Sequence, residues 1–360
     1  MTYRVIQWST GNVGKLALRG IINHPDLELA GLLVHSDAKV GLDAGALCQM
    51  PPTGIAATSD VDAILRTNAD CVSYTATADL RPQEAVQDMA RLLESGFNVV
   101  SSSVVPLVYP PAADRSLVEP LEAACKAGNS SFFTSGIDPG FGNEFFPLSL
   151  TAISERIDSL RVMEVLNYDT YDQPTVLFDT MGFGKPIDHT PLLLIDGVLT
   201  FAWGPVVAMI AAGLGIELDE ITESYEKWPA ERAYKTAAGT VEKGTQAGLR
   251  FELRGMKDGR EVVVVEHVTR MHDETAPDWP QPTGEGCYRV LIEGQPRIRC
   301  NLELLGRDGD HNEGGLVATA MRLLNAIPAV CDAPAGMLSM LDLPLVTGRN
   351  LVASPSAELE

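Results

Sequence analysis

A glycine-rich turn near the start of the chain, between a predicted strand and a predicted helix, constrains the fold more than any other feature. Residues 3–8 have the apolar pattern of a short strand, and residues 15–22 have that of a helix. The turn between them reads Ser9-Thr10-Gly11-Asn12-Val13-Gly14. This order of elements is typical of a dinucleotide-binding fingerprint, because backbone N–H groups and the helix N-terminus can then approach a pyrophosphate.

The two glycines of this turn have different predicted roles. Gly11 leaves room for the pyrophosphate, and Gly14 lets the helix pack closely on the strand. Ser9 stands where the G-x-G-x-x-G pattern has its first glycine, so an ordinary strand-to-helix connection is the alternative interpretation. The flanking elements favour the cofactor site, which we predict to consist of Ser9, Thr10, Gly11, Asn12, Val13 and Gly14.

Strands and helices alternate through the first third of the chain. Such alternation predicts an α/β fold with a Rossmann-type, doubly wound parallel sheet. Further strands are predicted at residues 27–34, 69–74, 97–101 and 131–135, and helices at residues 61–65, 82–95 and 117–127.

The pattern changes after about residue 150, where strands follow one another with few helices between them. This predicts a second α+β domain with a largely antiparallel sheet, one face of which needs a cover. Strands are predicted at residues 160–168, 248–254, 261–269, 287–292 and 296–305, a partly helical apolar stretch at 190–215, and a helix at 314–325 that ends before Pro328.

These patterns predict three parts of the chain. Residues 1–147 form the dinucleotide-binding domain and residues 148–312 the substrate and dimerisation domain. Residues 313–350 contain a helix that returns to the first domain. A homodimer through the second domain's sheet is expected, because that sheet needs its other face covered. The stretch after Arg349 is expected to be disordered.

Composition limits the partners and the compartment. The net charge of −21 and the pI of about 4.6 argue against nucleic acid or an anionic membrane, since both need a basic face. No apolar run reaches membrane-spanning length, the longest being residues 206–214, and no signal peptide is expected. The six cysteines and six histidines show no metal-ligand spacing, so free thiols, a cytoplasmic protein and no catalytic metal are expected.

The end of the second strand bears on the choice of cofactor. An acidic residue there holds the ribose 2′-hydroxyl of NAD. His35 and Ser36 occupy this place and Lys39 follows, so a 2′-phosphate would find charge-assisted hydrogen bonds. NADP is therefore the predicted cofactor, and NAD stays possible if Asp37 turns inward.

Two other turns follow predicted strands and are expected to meet the cofactor. Thr75, Ala76 and Thr77 come after the third strand, and Asp138 and Pro139 come after the strand at 131–135. Ligands of this fold bind outside the carboxyl ends of the strands. The alternatives are an ordinary loop for residues 75–77 and a helix cap for Asp138.

Five segments together resemble the dihydrodipicolinate reductase-like superfamily, and most closely the branch that holds 2,4-diaminopentanoate dehydrogenase and the native amine dehydrogenases. They lie at residues 7–14, 136–142, 181–184, 325–328 and 333–336 and read QWSTGNVG, GIDPGFG, MGFG, NAIP and APAG. The resemblance implies a nicotinamide-dependent oxidoreductase with a Rossmann domain, a mixed α+β domain for substrate and dimer contacts, and a returning C-terminal helix.

One departure from that branch concerns catalysis. The resemblance to this branch implies a catalytic Glu just after the fourth strand, in a Cys-Glu-Glu-Leu-x-Tyr-Pro type segment. The matching residues 103–110 read SVVPLVYP, with Val105 and Pro106 where the carboxylates would be. A carboxylate there would activate water or ammonia and stabilise an iminium, which these side chains cannot do. This argues against reductive amination and leaves hydride transfer to C=O, C=N or an activated C=C.

Three side chains are candidates for acid–base work in place of the missing carboxylate. Tyr109 is a proton donor or a packed aromatic, Glu144 a replacement acid or a first-turn helix residue, and His189 an acid–base group or a surface histidine. The predicted substrate pocket contains Val105, Pro106, Tyr168 and Tyr171. The predicted function is an NAD(P)H-dependent oxidoreductase acting on a small, fairly apolar carbonyl, imine or amine. The alternative is a dinucleotide-binding sensor or partner protein without catalysis.

Overall fold

Residues 2–352, the part of the chain that this computed structural model describes, contain two six-stranded sheets and a short hairpin. The strands are β1 Tyr3–Trp8, β2 Leu27–Leu33, β3 Cys71–Tyr74, β4 Asn98–Ser101, β5 Ser131–Thr134, β6 Arg156–Asn167, β7 Glu220–Pro229, β8 Tyr234–Thr236, β9 Gly239–Val241, β10 Gln246–Lys257, β11 Arg260–Arg270, β12 Gly286–Gln295, β13 Ile298–Leu302 and β14 Gly336–Leu338. The α-helices are α1 Asn12–Asn23, α2 Ala44–Leu47, α3 Val61–Leu65, α4 Pro82–Glu94, α5 Arg115–Gly128, α6 Phe145–Thr151, α7 Val198–Gly213 and α8 His311–Asp332.

The described chain divides into two compact units. Unit 1 comprises the chain up to Val104, Arg115–Gly136 and the residues from Thr319 onward, whereas unit 2 comprises Val105–Asp114 and Ile137–Ala318. The sequence-based domain limits at residues 147 and 312 stay predictions. The predicted disorder beyond residue 352 concerns a segment that lies outside the described residues.

Unit 1 contains an all-parallel sheet in the order β14-β5-β4-β3-β1-β2. The strand order reverses beside β1, so β1 and β3 flank a switch point of the kind at which open α/β sheets bind ligands. The predicted doubly wound fold is confirmed, and β14 is an additional edge strand that the sequence analysis did not predict.

The second part of α8 packs in the core of unit 1. Its Leu324, Ile327 and Val330 are fully buried in one cluster with Val5 and Ile21. The prediction that this helix ends before Pro328 is wrong, since α8 continues to Asp332. Proline removes one backbone hydrogen bond, but the buried side chains on both sides of it keep the helix on the sheet.

The length of α8 also corrects the prediction that no run could span a membrane. α8 has 22 residues and is long and apolar enough to cross one by length and composition, with half of its most apolar window buried inside the protein. A core helix of a water-soluble protein meets the same criteria. Its packing against Val5 and Ile21 favours that interpretation.

Unit 2 is built on a mixed sheet in the order β13-β12-β6-β11-β10-β7. Only the β6–β11 pair among these is parallel, so the prediction of a largely antiparallel sheet is confirmed. One face, with Leu160, Phe251 and Val265, is buried in a core that includes Val206 and Ile210 of α7. α7 is apolar all round, which is typical of a buried helix.

The opposite face of this sheet carries charged side chains that pair with one another. Glu266 is 1% exposed and is held by Arg161 and Arg250, while Glu252 is held by the same two arginines and by Arg254. Alternation along β10 and β11 separates these charges from the apolar face, because successive side chains of a strand point to opposite sides.

Candidate active site

The turn after β1 has the geometry that close packing of a helix on a strand requires. A Cβ on Gly14 would lie 2.5 Å from the Ser9 carbonyl oxygen and 2.8 Å from Thr75 Oγ1, whereas one on Gly11 would meet no described atom within 4 Å. Ser9 adopts a φ of +80°, a left-handed conformation that glycine takes more readily. Gly14 therefore permits the close approach, and Gly11 leaves open space beside the N-terminus of α1.

Gln7 fixes the position of this turn, a role that the sequence analysis missed. Its buried Nε2 donates to the Ser9 carbonyl at 2.9 Å and to Thr75 Oγ1 at 2.8 Å. Thr75 Oγ1 in turn donates to the Trp8 carbonyl at 3.1 Å. A glutamine inside an otherwise apolar strand was the available signal. Because the Thr75 hydroxyl serves this link, it stabilises the turn from within.

The residues predicted to determine the preference for NADP or NAD lie after β2, and one of them contacts the turn at residues 9–14. Lys39 Nζ donates to Thr10 Oγ1 at 2.9 Å and to the Thr10 carbonyl at 3.2 Å. Ser36 is exposed. Partial burial and the charge of Arg81 lower the pKa of His35, so this ring is neutral near pH 7. The positive charge beside the turn therefore comes from Lys39.

A row of four side chains crosses the apolar face of the sheet in unit 2. The parallel pairing of β6 with β11 places Glu164 opposite His267. Tyr288 of β12 lies opposite Glu164, and Phe251 of β10 lies opposite His267. Side chains at paired positions share one face, so the strand register alone brings a carboxyl group and an imidazole together in the core.

Asp138 joins this row from the turn that follows β5. Its Oδ1 accepts from Asn143 Nδ2 at 2.7 Å and from Trp203 Nε1 at 3.1 Å, and it lies 3.2 Å from His267 Nε2. On the other side of the ring, His267 Nδ1 lies 3.7 Å from Glu164 Oε1. The Asp138, Glu164 and His267 side chains are 3%, 5% and 6% exposed. We call these three residues the buried triad.

Burial and mutual charge shift the pKa values within the buried triad. Burial, with a further contribution from the charge of Asp138, raises the pKa of Glu164 to about 7, although His267 and the Tyr168 hydroxyl oppose the shift. Burial lowers the pKa of His267, but the charges of Asp138 and Glu164 outweigh it, so the net shift is upward. The Phe251 ring stacks on His267 with centroids 4.5 Å apart. Such a site favours a protonated imidazole.

The same three residues offer ligand atoms that lie within 4.8 Å of one another, a spacing compatible with a metal ion. The carboxylate oxygens involved already accept hydrogen bonds: Asp138 Oδ1 from Trp203 and Asn143, and Glu164 Oε1 from the Tyr168 hydroxyl at 2.7 Å. These hydrogen bonds occupy lone pairs that a metal ion would also use. The expectation of no catalytic metal stays a prediction.

The structure brings some of the predicted site residues together and leaves others apart. Asp138 belongs to the buried triad, with Pro139 buried beside it, and Tyr168 bonds to Glu164. The Tyr171 ring lies 4.9 Å from that of Tyr168. His189 is exposed, and its backbone carbonyl accepts from Lys227 Nζ at 2.8 Å.

The remaining predicted residues lie in or beside short segments. Glu144 is fully buried immediately before α6. Val105 and Pro106 begin a single 3-10 turn, Val105–Val108, that packs against α7, and the partly buried Tyr109 follows it. Ala76 is buried with its carbonyl bonded to Ser103 Oγ, while Thr77 is exposed. The assignment of all these residues to a cofactor or substrate site stays a prediction.

Sequence reasoning missed Glu164 and His267. Each of the two lies at an inward position of a strand whose other inward residues are apolar: Leu160 and Val162 precede Glu164, and Val263 and Val265 precede His267. An ionisable group in such a series is costly to bury, and was the signal that could have found them.

Comparison of the whole chain with solved structures shows the same fold in an amine dehydrogenase from Mycobacterium smegmatis. The TM-score is 0.79 at 20% sequence identity, over 96% of this chain and 97% of that one. The model of the 2,4-diaminopentanoate dehydrogenase C-terminal domain family matches residues 146–354.

Two relatives extend the comparison to sequence. An amine dehydrogenase from Streptomyces virginiae is 40% identical over 94% of this chain and 96% of its own length. A 2,4-diaminopentanoate dehydrogenase from Acetoanaerobium sticklandii is 25% identical over 79% of this chain and 76% of its own. The resemblance that the sequence motifs indicate is thus confirmed, and the alternative without catalysis loses support. The chain belongs to the family of 2,4-diaminopentanoate dehydrogenase and the amine dehydrogenases, and is an NAD(P)-dependent oxidoreductase.

Proposed function

We propose that this enzyme transfers hydride between NADP(H) and a small, fairly apolar carbonyl, imine or amine. The proposal rests on the turn at residues 9–14, which lies at the switch point of a parallel sheet. In this turn a Cβ on Gly14 would clash with its neighbours, whereas Gly11 has open space beside it. That combination lets a pyrophosphate approach the backbone at the N-terminus of α1. The cofactor supplies or accepts the hydride, and the protein binds and orients the partners.

An apolar substrate is supported by the side chains near α7. This helix has the large apolar residue Phe201 45% exposed, and Ile195 just before it is 49% exposed. Asp138 follows Thr134, the last residue of β5, by four positions, so the chain itself keeps its Cα within about 14 Å of that strand end. Since ligands bind beyond such strand ends, Asp138 can act on a substrate held there.

Turnover assays test the proposed function directly. Purified protein would be mixed with NADPH or NADH and a panel of aliphatic aldehydes and ketones, with and without ammonia, and absorbance at the reduced-nicotinamide band followed. We expect consumption of the reduced cofactor with at least one carbonyl in the absence of ammonia. Binding of cofactor without consumption across the whole panel, in either direction, would remove the proposed substrate class.

The NADP preference rests on Lys39, whose ammonium group lies against Thr10 of the turn. We predict that Lys39→Ala raises the KM for NADPH about tenfold, corresponding to about 1.4 kcal/mol, and leaves that for NADH within twofold. The matched control is Lys126→Ala, which removes an exposed lysine from α5 and should change neither constant. Equal losses for both cofactors would assign Lys39 to the pyrophosphate or to folding instead of the 2′-phosphate.

A carboxylate can be returned to the segment that lacks it. Val105 is the better position, because it is partly exposed whereas Pro106 is buried. We predict that Val105→Glu raises ammonia-dependent turnover of a carbonyl at least tenfold, since a carboxylate stabilises an iminium and activates ammonia. Val105→Gln, of the same size without the charge, should show no gain. A gain in both variants would point to a change of shape.

The proposal also covers the oligomeric state and the cellular location of the protein. We propose a homodimer formed through the sheet of unit 2, which light scattering would detect as twice the mass of one chain. We also propose a cytoplasmic location, which cell fractionation would check.

A further inference from the structure

The function proposed so far gives no role to Glu164 and His267, although together with Asp138 they place three ionisable groups in the core of unit 2. Burying such groups is costly unless they pair, and clusters of this kind are concentrated at functional sites. We propose that Asp138, His267 and Glu164 form an internal proton relay that ends at Asp138 and serves the proton transfer that accompanies hydride transfer. This inference rests on the proposed function and names the residues that replace a carboxylate at position 105 or 106.

The contacts of His267 support a relay through its ring. Nε2 lies 3.2 Å from Asp138 Oδ1 and Nδ1 lies 3.7 Å from Glu164 Oε1, so each ring nitrogen has its own carboxyl group. An imidazole between two carboxyl groups can accept a proton on one nitrogen and release one from the other. Phe251 and Trp203 enclose the ring, with centroids 4.5 and 5.0 Å away. Protons can therefore leave the ring only toward its carboxyl partners.

Asp138 is the member that can meet a substrate, because it lies on the turn after β5 and not on the sheet of unit 2. Asn143 and Trp203 fix its Oδ1 at 2.7 and 3.1 Å. Asp138 is thus the catalytic residue of the proposal. His267 and Glu164 act through it and are positioning residues.

The proton balance of a carbonyl reduction is as follows. Hydride from the reduced cofactor forms a C–H bond at the carbonyl carbon, and the electrons of the C=O π bond move to oxygen. Asp138 takes a proton from Nε2 of the protonated His267 and passes it to that oxygen, and the ring keeps on Nδ1 the proton that it shares with Glu164. The substrate is reduced to an alcohol, the nicotinamide is oxidised, and His267 is left neutral until a proton returns from water. The reverse sequence accompanies oxidation.

The surroundings of Glu164 determine the expected pH dependence. The titratable groups that face it are His267 from β11, Asp138 from the turn after β5, Tyr168 and Tyr171 from the segment after β6, and Tyr288 from β12. Because the pKa of Glu164 is raised to about 7, this residue still holds its proton near neutral pH, where an ordinary glutamate has lost it. Carbonyl reduction should therefore be steady below about pH 7 and decline above it.

Three variants of the full chain test the relay: Asp138→Asn, His267→Gln and Glu164→Gln. For carbonyl reduction with NADPH, we expect Asp138→Asn and His267→Gln to lower kcat about a hundredfold. Glu164→Gln should also shift the decline to lower pH, because His267 loses its proton more easily without the charge of Glu164. Glu274→Gln removes a largely exposed carboxylate from unit 2 and should leave both the rate and the pH profile unchanged.

Cofactor binding separates a catalytic loss from a folding loss. The turn that is proposed to bind NADPH belongs to unit 1, so His267→Gln and Glu164→Gln should bind NADPH with a wild-type Kd. If Asp138→Asn does not fold, NMR of the ring of His267 supplies a second measurement: it should stay protonated up to higher pH in wild type than in Glu164→Gln, since Glu164 contributes to its raised pKa.

The failures can be told apart. Absence of any turnover by the wild-type protein removes the proposed function itself. Turnover with an unchanged kcat in Asp138→Asn, or an unchanged pH decline in Glu164→Gln, overturns the relay and leaves the function intact. A stoichiometric metal ion in the purified protein, lost together with activity in His267→Gln, would also overturn it by assigning the triad to a metal.

Discussion

Replacing Gly14 with alanine is expected to abolish dinucleotide binding. The added Cβ would lie 2.5 Å from the Ser9 carbonyl oxygen and 2.8 Å from Thr75 Oγ1. Neither atom can move freely, because Gln7 Nε2 holds both, at 2.9 and 2.8 Å. The turn must therefore open and carry its N–H groups away from the pyrophosphate. We expect the Kd for NADPH, measured by fluorescence titration, to rise more than a hundredfold, equivalent to about 2.7 kcal/mol.

Gly11→Ala provides the matched comparison within the same turn. Gly11 has a φ of −69°, which alanine accepts, and its Cβ would meet no described atom within 4 Å. The melting temperature should stay within about 1 °C of wild type, while NADPH binding weakens about tenfold because the methyl group occupies space left for the ligand. Wild-type binding by Gly14→Ala would show that the turn relaxes at no cost or is not the binding site.

Local patterns were sufficient to predict the fold of unit 1. The strand at residues 3–8, the glycine-rich turn and the helix after it are each encoded within a few residues, and alternation of elements then limits the sheet to a parallel one. Gly14 could be assigned to close packing from its spacing alone. The partner of Gln7 could not be assigned, because Thr75 follows β3, which lies beside β1 only in the folded sheet.

The buried triad could not be predicted in this way. Glu164 and His267 are distant in sequence and meet only because β6 pairs with β11 in parallel, in one particular register. A shift of one residue would place them on opposite faces of the sheet. Asp138 and Trp203 then arrive from a turn and a helix. Alternation along a strand can show that each of these residues points into the core. Which residue it meets there depends on how the strands pair in the folded protein.

Two errors in the predicted elements have physical causes of the same kind. β7 was missed because its residues, Glu220–Pro229, are mostly polar and partly exposed, so the strand exists through its pairing with β10. The end of α8 was placed too early because Pro328 was treated as a local stop. Tertiary packing overrides local propensity in both cases.

The charged face of the sheet in unit 2 gives the largest expected effect on stability. Glu266 is 1% exposed, accepts from Arg250 Nε at 2.8 Å and is also bonded by Arg161. Its carboxylate thus neutralises the charge of Arg250 and Arg161, whose side chains are 24% and 26% exposed. Glu252, 11% exposed, is the other acidic residue with which both arginines pair.

Glu266→Gln is therefore expected to destabilise the protein by about 3 kcal/mol. The amide keeps the volume, but Arg161 and Arg250 are left with Glu252 and with the more exposed Glu261 and Glu226. Removing one partner of a buried ion pair costs about 3–5 kcal/mol. Urea unfolding followed by circular dichroism measures the change. The control is Glu261→Gln on the same strand, whose side chain is 45% exposed and pairs with Arg254 at 3.1 Å and with Arg161 at 3.8 Å. An exposed pair of that kind contributes at most about 1 kcal/mol. Equal losses in the two variants would mean that burial does not set the strength of this network.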